Sequence, residues 1–493
     1  MRALTTAAKP FPIPAPVKGW NTVDSLAEIP LDMATTLDNW VPSTSSVSSR
    51  KGRSTWSTGV GSGNVDSLFE LKGAAVSKMI SASGGGIYDS TLQGVGTLLK
   101  SGFTSNIWKG TVFNAQLGLV NGADAPQVYD GTTVSNMTVS GVSNTALLNM
   151  ITTFKNRTYF GYAGSQSFYY SALNTLGGAL TEFPLGRIGT FGGNLVGIET
   201  ITKDGGSGQD DAICFFMSTG EIIVYEGTDP GTNFVLTGKF LAGRPLNSRA
   251  IYKFGADILF ATNEGYLPVS ALLPLSYGKD NVGINKYIKG AASAAASSFG
   301  SYDGWQIILS PNDNILLVNV PQSNNTFVQH VLNVNTMAWS RFTGLNARCW
   351  AVFGDDLYFG STNGTVYKYG SDYLDVDTTV PLIYGSPNIR FSRATTRTSG
   401  FRPIMRFGSD MTMTVKTSVD YKPFSLPYTV SYTVSGADWG DEWGTMWSRP
   451  NSIINYLNFN NICHSAALSL TVACGGNVDF FGIDFLPQAG TRL

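Results

Sequence analysis

The chain has 493 residues and a formal net charge of −1, and only 14% of its residues are charged, against about 25% in an ordinary soluble domain. That balance excludes a protein that grips nucleic acid through a broadly basic surface. Four cysteines without CxxC spacing and only two histidines, His330 and His464, argue against a zinc site. Sparse charge also suits a surface buried on several sides in an assembly, or simply a neutral Ser/Thr/Asn-rich exterior.

In chain order, the first feature is KPFPIPAPVK (9–18), where Pro10, Pro12, Pro14 and Pro16 alternate with other residues. Proline fixes φ and removes a donor, so an extended arm outside any sheet is predicted, as a disordered leader or docked on a neighbouring subunit. The N-terminal MRALTTAAKPFPIPAP (1–16) lacks the apolar core of a signal peptide. No window approaches 18 apolar residues, so no membrane span is expected. A reducing cytoplasm with free thiols follows as the expected site of synthesis.

From about 60 to 375 the sequence repeats. Seven segments each carry a short apolar run, a Gly/Asn/Ser turn and a second run that usually ends in Tyr: 76–88, 116–129, 157–170, 211–225, 257–269, 314–332 and 356–369. Run length and turn chemistry predict β-hairpins. Their starts lie 40 to 57 residues apart, about one four-stranded propeller blade. SRAIYKFGADILF (248–260) aligns with ARCWAVFGDDLYF (347–359), matching Arg249 to Arg348, Gly255 to Gly354 and Asp257 to Asp356. A lone small sheet cannot bury both faces, whereas a ring of them can. Six or seven blades are predicted.

Within this region INKYIKGAASAAASSF (284–299) reads as a short helix in a blade connection. Beyond 375 the repeat fades, but alternating strands continue at 411–421, 428–436, 467–476 and 478–487. The expected fold is all-β: an N-terminal arm and entry strand (1–60), a β-propeller (61–375) and an appended C-terminal β-sandwich-like domain (376–493).

Three places resemble the tail nozzle, or tail-hub, proteins of short-tailed bacteriophages (podoviruses). The first is 19–52, with Asn39, Trp40 and Pro42 followed by a strand ending in Arg50-x-Gly52. The second is the block from Ile284 to Gly344, with a short helix, Gly304-Trp305, the strand ILLVNVP (315–321) and Trp339-Ser340. The third is ALSLTVACGGNVDFFGIDF (467–485). The resemblance implies a non-enzymatic virion protein without cofactors. Copies would form a ring, a homohexamer, below the portal-adaptor ring and bind tail fibre or spike proteins at the side. Double-stranded DNA would pass transiently during genome ejection.

Propellers also host enzymes, and several residues of this chain bear on that possibility. Aspartates cluster at turns, where they cap backbone N–H groups, and SYDGW (301–305) resembles a sialidase hairpin motif in one copy only. Neither histidine sits in a nucleophile context. DGGSGQDD (204–211) lacks calcium-loop spacing. Two features stand out as candidate sites. Arg390, Arg393, Arg397, Arg402 and Arg406 form a run without acids, read as an interface or channel lining, or as a solvated strand face with ordinary pairing. Trp439, Trp443 and Trp447 read as a partner anchor, or as packing against the C-terminal sheet. The tryptophans also motivate an alternative function, a carbohydrate-binding or glycoside-cleaving propeller adhesin of the tail. A scaffold propeller of WD-repeat type is disfavoured by the missing Trp-Asp dipeptides.

Overall fold

The computed structural model describes residues 9–72, 77–204, 209–272, 284–370, 372–391, 395–434, 451–453 and 455–489. The protein is all-β apart from one α-helix and a few 3₁₀ turns among these residues. It divides into two bodies. The larger comprises Thr55–Gln329 and Leu345–Tyr369; the smaller comprises Met1–Ser54, His330–Gly344 and Gly370–Leu493.

The larger body is a seven-bladed β-propeller. Its innermost strands, in order, are Val65–Leu71, Lys109–Phe113, Leu148–Phe154, Leu195–Asp204, Ile251–Phe254, Gln306–Ser310 and Ala347–Phe353. Each touches the next, and the seventh touches the first, so the ring is closed. All seven hairpins read from the sequence begin at a blade's second strand, as in Lys78–Ser83 with Gly86–Asp89 and Asp356–Ser361 with Val366–Tyr369. The turn between first and second strands uses left-handed backbone at Gly255 (φ 62°) and at Gly354 and Asp355 (φ 57° and 69°), which explains the repeated Gly in the two aligned segments.

Apolar clusters fill the spaces between neighbouring blades and form the core. Leu71, Ile80, Trp108 and Leu119 pack between blades 1 and 2. Phe168, Phe215 and Tyr225 pack between blades 3 and 4, with Phe168 and Phe215 stacked at 4.5 Å. Val60, Val65, Cys349 and Tyr358 seal blade 7 against blade 1. Blade 7 is completed by a strand from far upstream, since Arg53–Thr58 lies beside Val366–Tyr369. Ends distant in sequence thus lock the circle and cover an edge that would otherwise stay open. The expected helix is Lys289–Phe299, preceded by a 3₁₀ turn at Lys286–Ile288.

The smaller body is a two-sheet sandwich. One sheet runs Trp40–Pro42, Val47–Ser49, Val478–Ala489, Thr396–Phe407 and Asn451–Ser452, with Phe11–Pro14 also on Val478–Ala489 and Leu457–Cys463 on Thr396–Phe407. The other includes Ala338–Phe342, Thr36–Asp38, Val380–Gly385, Ser465–Cys474, Met411–Val419 and Tyr428–Tyr432. Phe480 of the first sheet meets Tyr384 of the second at 5.1 Å, and Trp40 at 6.0 Å.

Two sequence expectations are corrected. The bodies are not three consecutive segments (1–60, 61–375, 376–493), because 330–344 leaves the propeller run and joins the N- and C-terminal strands. The proline arm belongs to a sheet: Phe11–Pro14 pairs antiparallel with Val478–Ala489, Ile13 opposite Ile483. Alternation is the reason. Ile13 and Ala15 are buried, and Ala15 N–H donates to the Phe481 carbonyl at 3.1 Å. Pro12 and Pro14 fall on the exposed positions, where an edge strand tolerates the missing donor.

Candidate functional site: the charged axis of the propeller

Seven twisted sheets arranged radially leave a hollow on their common axis. Here it is a cavity of about 230 Å³ lined by innermost-strand residues, among them Ser67, Lys109, Glu199, Lys253 and Gln306, and by Arg249 from the 3₁₀ turn Ser248–Ala250 before the fifth strand. A DNA duplex, whose major groove alone is about 12 Å wide, has no passage through such a hollow.

Arg249 is the best-anchored side chain there. It donates to the Asp66 carbonyl (2.6 Å), Ser67 Oγ (2.5 Å) and the Trp108 carbonyl (2.7 Å). Its repeat counterpart, Arg348, reaches the same residue by another route, with Nε on Asp66 Oδ1 at 2.7 Å and Nη2 at 2.6 Å. The arginine repeat is therefore a pair of staples from blades 5 and 7 onto blade 1. Gln306 bridges blades 6 and 7, donating to the Trp350 carbonyl at 2.8 Å and accepting from its N–H at 2.9 Å.

Three further charged groups face the hollow. Lys109 donates to the Ser248 carbonyl at 3.2 Å, and Lys253 donates to Thr200 Oγ1 at 3.0 Å. The Glu199 carboxylate accepts from the Thr200 N–H at 3.1 Å. Burial pushes Glu199 above the usual carboxylate range, while the fields of Lys109 and Lys253 pull it back. Burial likewise lowers Lys109, against the attraction of Glu199. Burial pushes the Cys349 thiol up to about 12, which disfavours the thiolate, and the thiol donates to the Val65 carbonyl at 3.2 Å. Glu199 is the one carboxylate among the described lining residues, so the axis lacks the two converging carboxylates of a glycosidase.

The residues singled out in the sequence lie in the smaller body. Arg390 is exposed, opposite Ser465. Arg397 donates to Asn460 Oδ1 at 3.1 and 2.9 Å. Arg402 reaches Asp484 at 2.7 Å, with its guanidinium 5.0 Å from the Tyr456 ring centroid. Arg406 reaches Asp479 at 2.7 Å. Burial alone would raise the Asp479 carboxyl; hydrogen bonds from Arg406, Ser48 and Asn477 hold it below the usual range. Arg402 and Arg406 are thus paired with acids 82 and 73 residues downstream, which register brings alongside them. Arg393, Trp439, Trp443 and Trp447 lie outside the described residues.

Lys109, Glu199 and Lys253 escaped the sequence reading. Their one signal is placement: Glu199 interrupts the apolar run LVGIETI of an innermost strand.

No protein-family model matches the chain, and no curated protein matches it. Solved structures similar to it include YCF48 from Cyanidioschyzon merolae, 11% identical with a TM-score of 0.37, covering 64% of this chain and 98% of that one. Another is "YCF48 bound to D1 peptide", 6% identical with a TM-score of 0.35, covering 68% and 96%.

Proposed function

We propose that this chain is a virion structural protein, the subunit of a tail nozzle or hub ring in a short-tailed bacteriophage. Copies surround the path of the departing genome, dock the portal-adaptor ring and carry fibres or spikes. The genome path lies between copies, since the axis of a single propeller is too narrow and too charged to admit a duplex.

One observation supports this reading above the rest. Parts of the three segments that resemble the family lie hundreds of residues apart, yet they interlock in the smaller body. Trp20 N–H donates to the Trp339 carbonyl at 2.7 Å and Asn39 N–H to the Arg341 carbonyl at 2.7 Å. Asp38 holds Arg341 in two hydrogen bonds at 2.8 and 2.7 Å. Val47 and Ser48 pair with Phe480 and Asp479. Arg50 and Asn39, two of the motif residues, share a hydrogen bond at 2.9 Å. Those parts of the loose motifs that fall in the smaller body pack as one unit, which is how a fold constrains scattered positions together.

The test is assembly. Co-expressed with the portal and adaptor of the same phage, the chain should purify as a ring of about six 52.7-kDa copies on the adaptor and show no hydrolysis of polysaccharides or peptides. A chain that stays monomeric and does not join the adaptor refutes the proposal.

A further inference from the structure

The axial cavity carries more cationic charge than its own acids offset. Lys109, Arg249 and Lys253 line it with Glu199, and Asp66 is already engaged by Arg348. Among the described residues, no carboxylate lies within 4.0 Å of these three cations. Arg249 spends its bonds on two carbonyls and a hydroxyl, and the Asp66 and Asp303 carboxylates attract it only from beyond ion-pair distance. Unpaired charge in a confined site is costly and favours a counter-ion.

The donors are also available. An ammonium has three protons. Lys109 directs one to the Ser248 carbonyl and Lys253 one to Thr200 Oγ1, which leaves each with protons for a ligand. Both attract Glu199 electrostatically, so they flank the same carboxylate. A hollow of about 230 Å³ has room for roughly seven waters at about 30 Å³ each, enough for a small anion with part of its hydration shell. Partial enclosure strengthens the contacts of Lys109 and Arg249 relative to bulk water, while Lys253 remains exposed.

We propose that the axial cavity is a binding site for a small dianionic oxyanion of the phosphate or dicarboxylate type, held by Lys109 and Lys253 in the field of Arg249. Glu199 tunes the site: its negative charge opposes the anion and limits affinity. This assignment does not depend on the role of the protein in a virion.

Isothermal titration of the full chain with sodium phosphate and with sodium succinate, each against sodium chloride at equal ionic strength, tests it. The expected result is saturable one-to-one binding of at least one of the two, and which one binds separates tetrahedral from carboxylate recognition. Lys253→Gln should weaken binding about tenfold, the loss of one charge-assisted hydrogen bond, and Lys109→Gln by a similar factor. Glu199→Gln should tighten it, a change that a merely structural role would not produce. Should Lys109→Gln fail to fold, Lys253→Gln and Glu199→Gln carry the test. No saturable binding of either anion above chloride, or binding indifferent to Lys253→Gln, or weakened by Glu199→Gln, overturns the proposal.

Discussion

Replacing Arg50 by Met should destabilise the smaller body by ~3–5 kcal/mol, the cost of breaking a buried ion pair from one side. The side chain of Arg50 is 0% exposed and that of Asp375 is 11% exposed. Its guanidinium donates to Asp375 Oδ1 (3.0 Å) and Oδ2 (2.6 Å), Asn39 Oδ1 (2.9 Å), the Lys51 carbonyl (2.9 Å) and the Thr343 carbonyl (3.1 Å). Met fills similar volume but strands a carboxylate and the Lys51 and Thr343 carbonyls, while Asn39 Oδ1 keeps the Thr343 N–H at 2.8 Å; each unmet acceptor adds to the penalty. Equilibrium denaturation followed by hydrogen exchange in peptides from 467–485 would isolate this body from the propeller. The double variant Arg50→Met/Asp375→Leu should recover much of the loss, because no charge then remains buried alone. A single-variant loss below about 1 kcal/mol, or a double variant equal to the sum of the two singles, would refute the reasoning.

Gly52→Ala should prevent folding of the same body or cost several kcal/mol, since a Cβ there would sit 1.9 Å from the Leu374 carbonyl oxygen; thermal unfolding and expression yield report it. In the propeller, Asn319→Ala should cost ~2–4 kcal/mol by urea titration. Its side chain donates to the Gly304 and Ala347 carbonyls and accepts from Gln329 and from the Trp350 indole at 3.0 Å. His330 supplies a pH dependence. Burial, with Arg341 adding to it, depresses its folded value from 6.5 to about 3, so the unfolded chain takes up a proton that the folded chain refuses. Stability is therefore complete above pH 6.5 and falls as pH drops towards 3, by at most about 1.4 kcal/mol per pH unit. Urea midpoints from pH 7.5 to 4.5 should show that slope, flattened in His330→Gln. Arg406→Ala should cost no more than about 1 kcal/mol, because the arginine of that pair is half exposed.

The blades were legible because each hairpin is local. KMISASGGGIYD carries both strands and the turn within twelve residues, and the period of the repeats then implies a ring. What joins distant segments was not legible. Nothing in RSTWST (53–58) says that it completes a blade whose other strands begin near 347. Nothing near Arg402 and Arg406 announces Asp484 and Asp479, so local charge counting saw an uncompensated run. The proline arm misled for a related reason. Proline alternation excludes a central strand but fits an edge when the other residues face the partner, and that partner, Val478–Ala489, is near the opposite end of the chain. At the axis, lysines and a glutamate are ordinary in sequence; only closure of the blades turns them towards one hollow.

Electron cryomicroscopy of the chain assembled on its adaptor measures the central claim most directly. The expected map shows a closed ring of copies around a common lumen wide enough for duplex DNA, each propeller lying beside that lumen with its own narrow axis pointing elsewhere. Isolated monomers that never assemble, or DNA density threading the axis of a propeller, would contradict it.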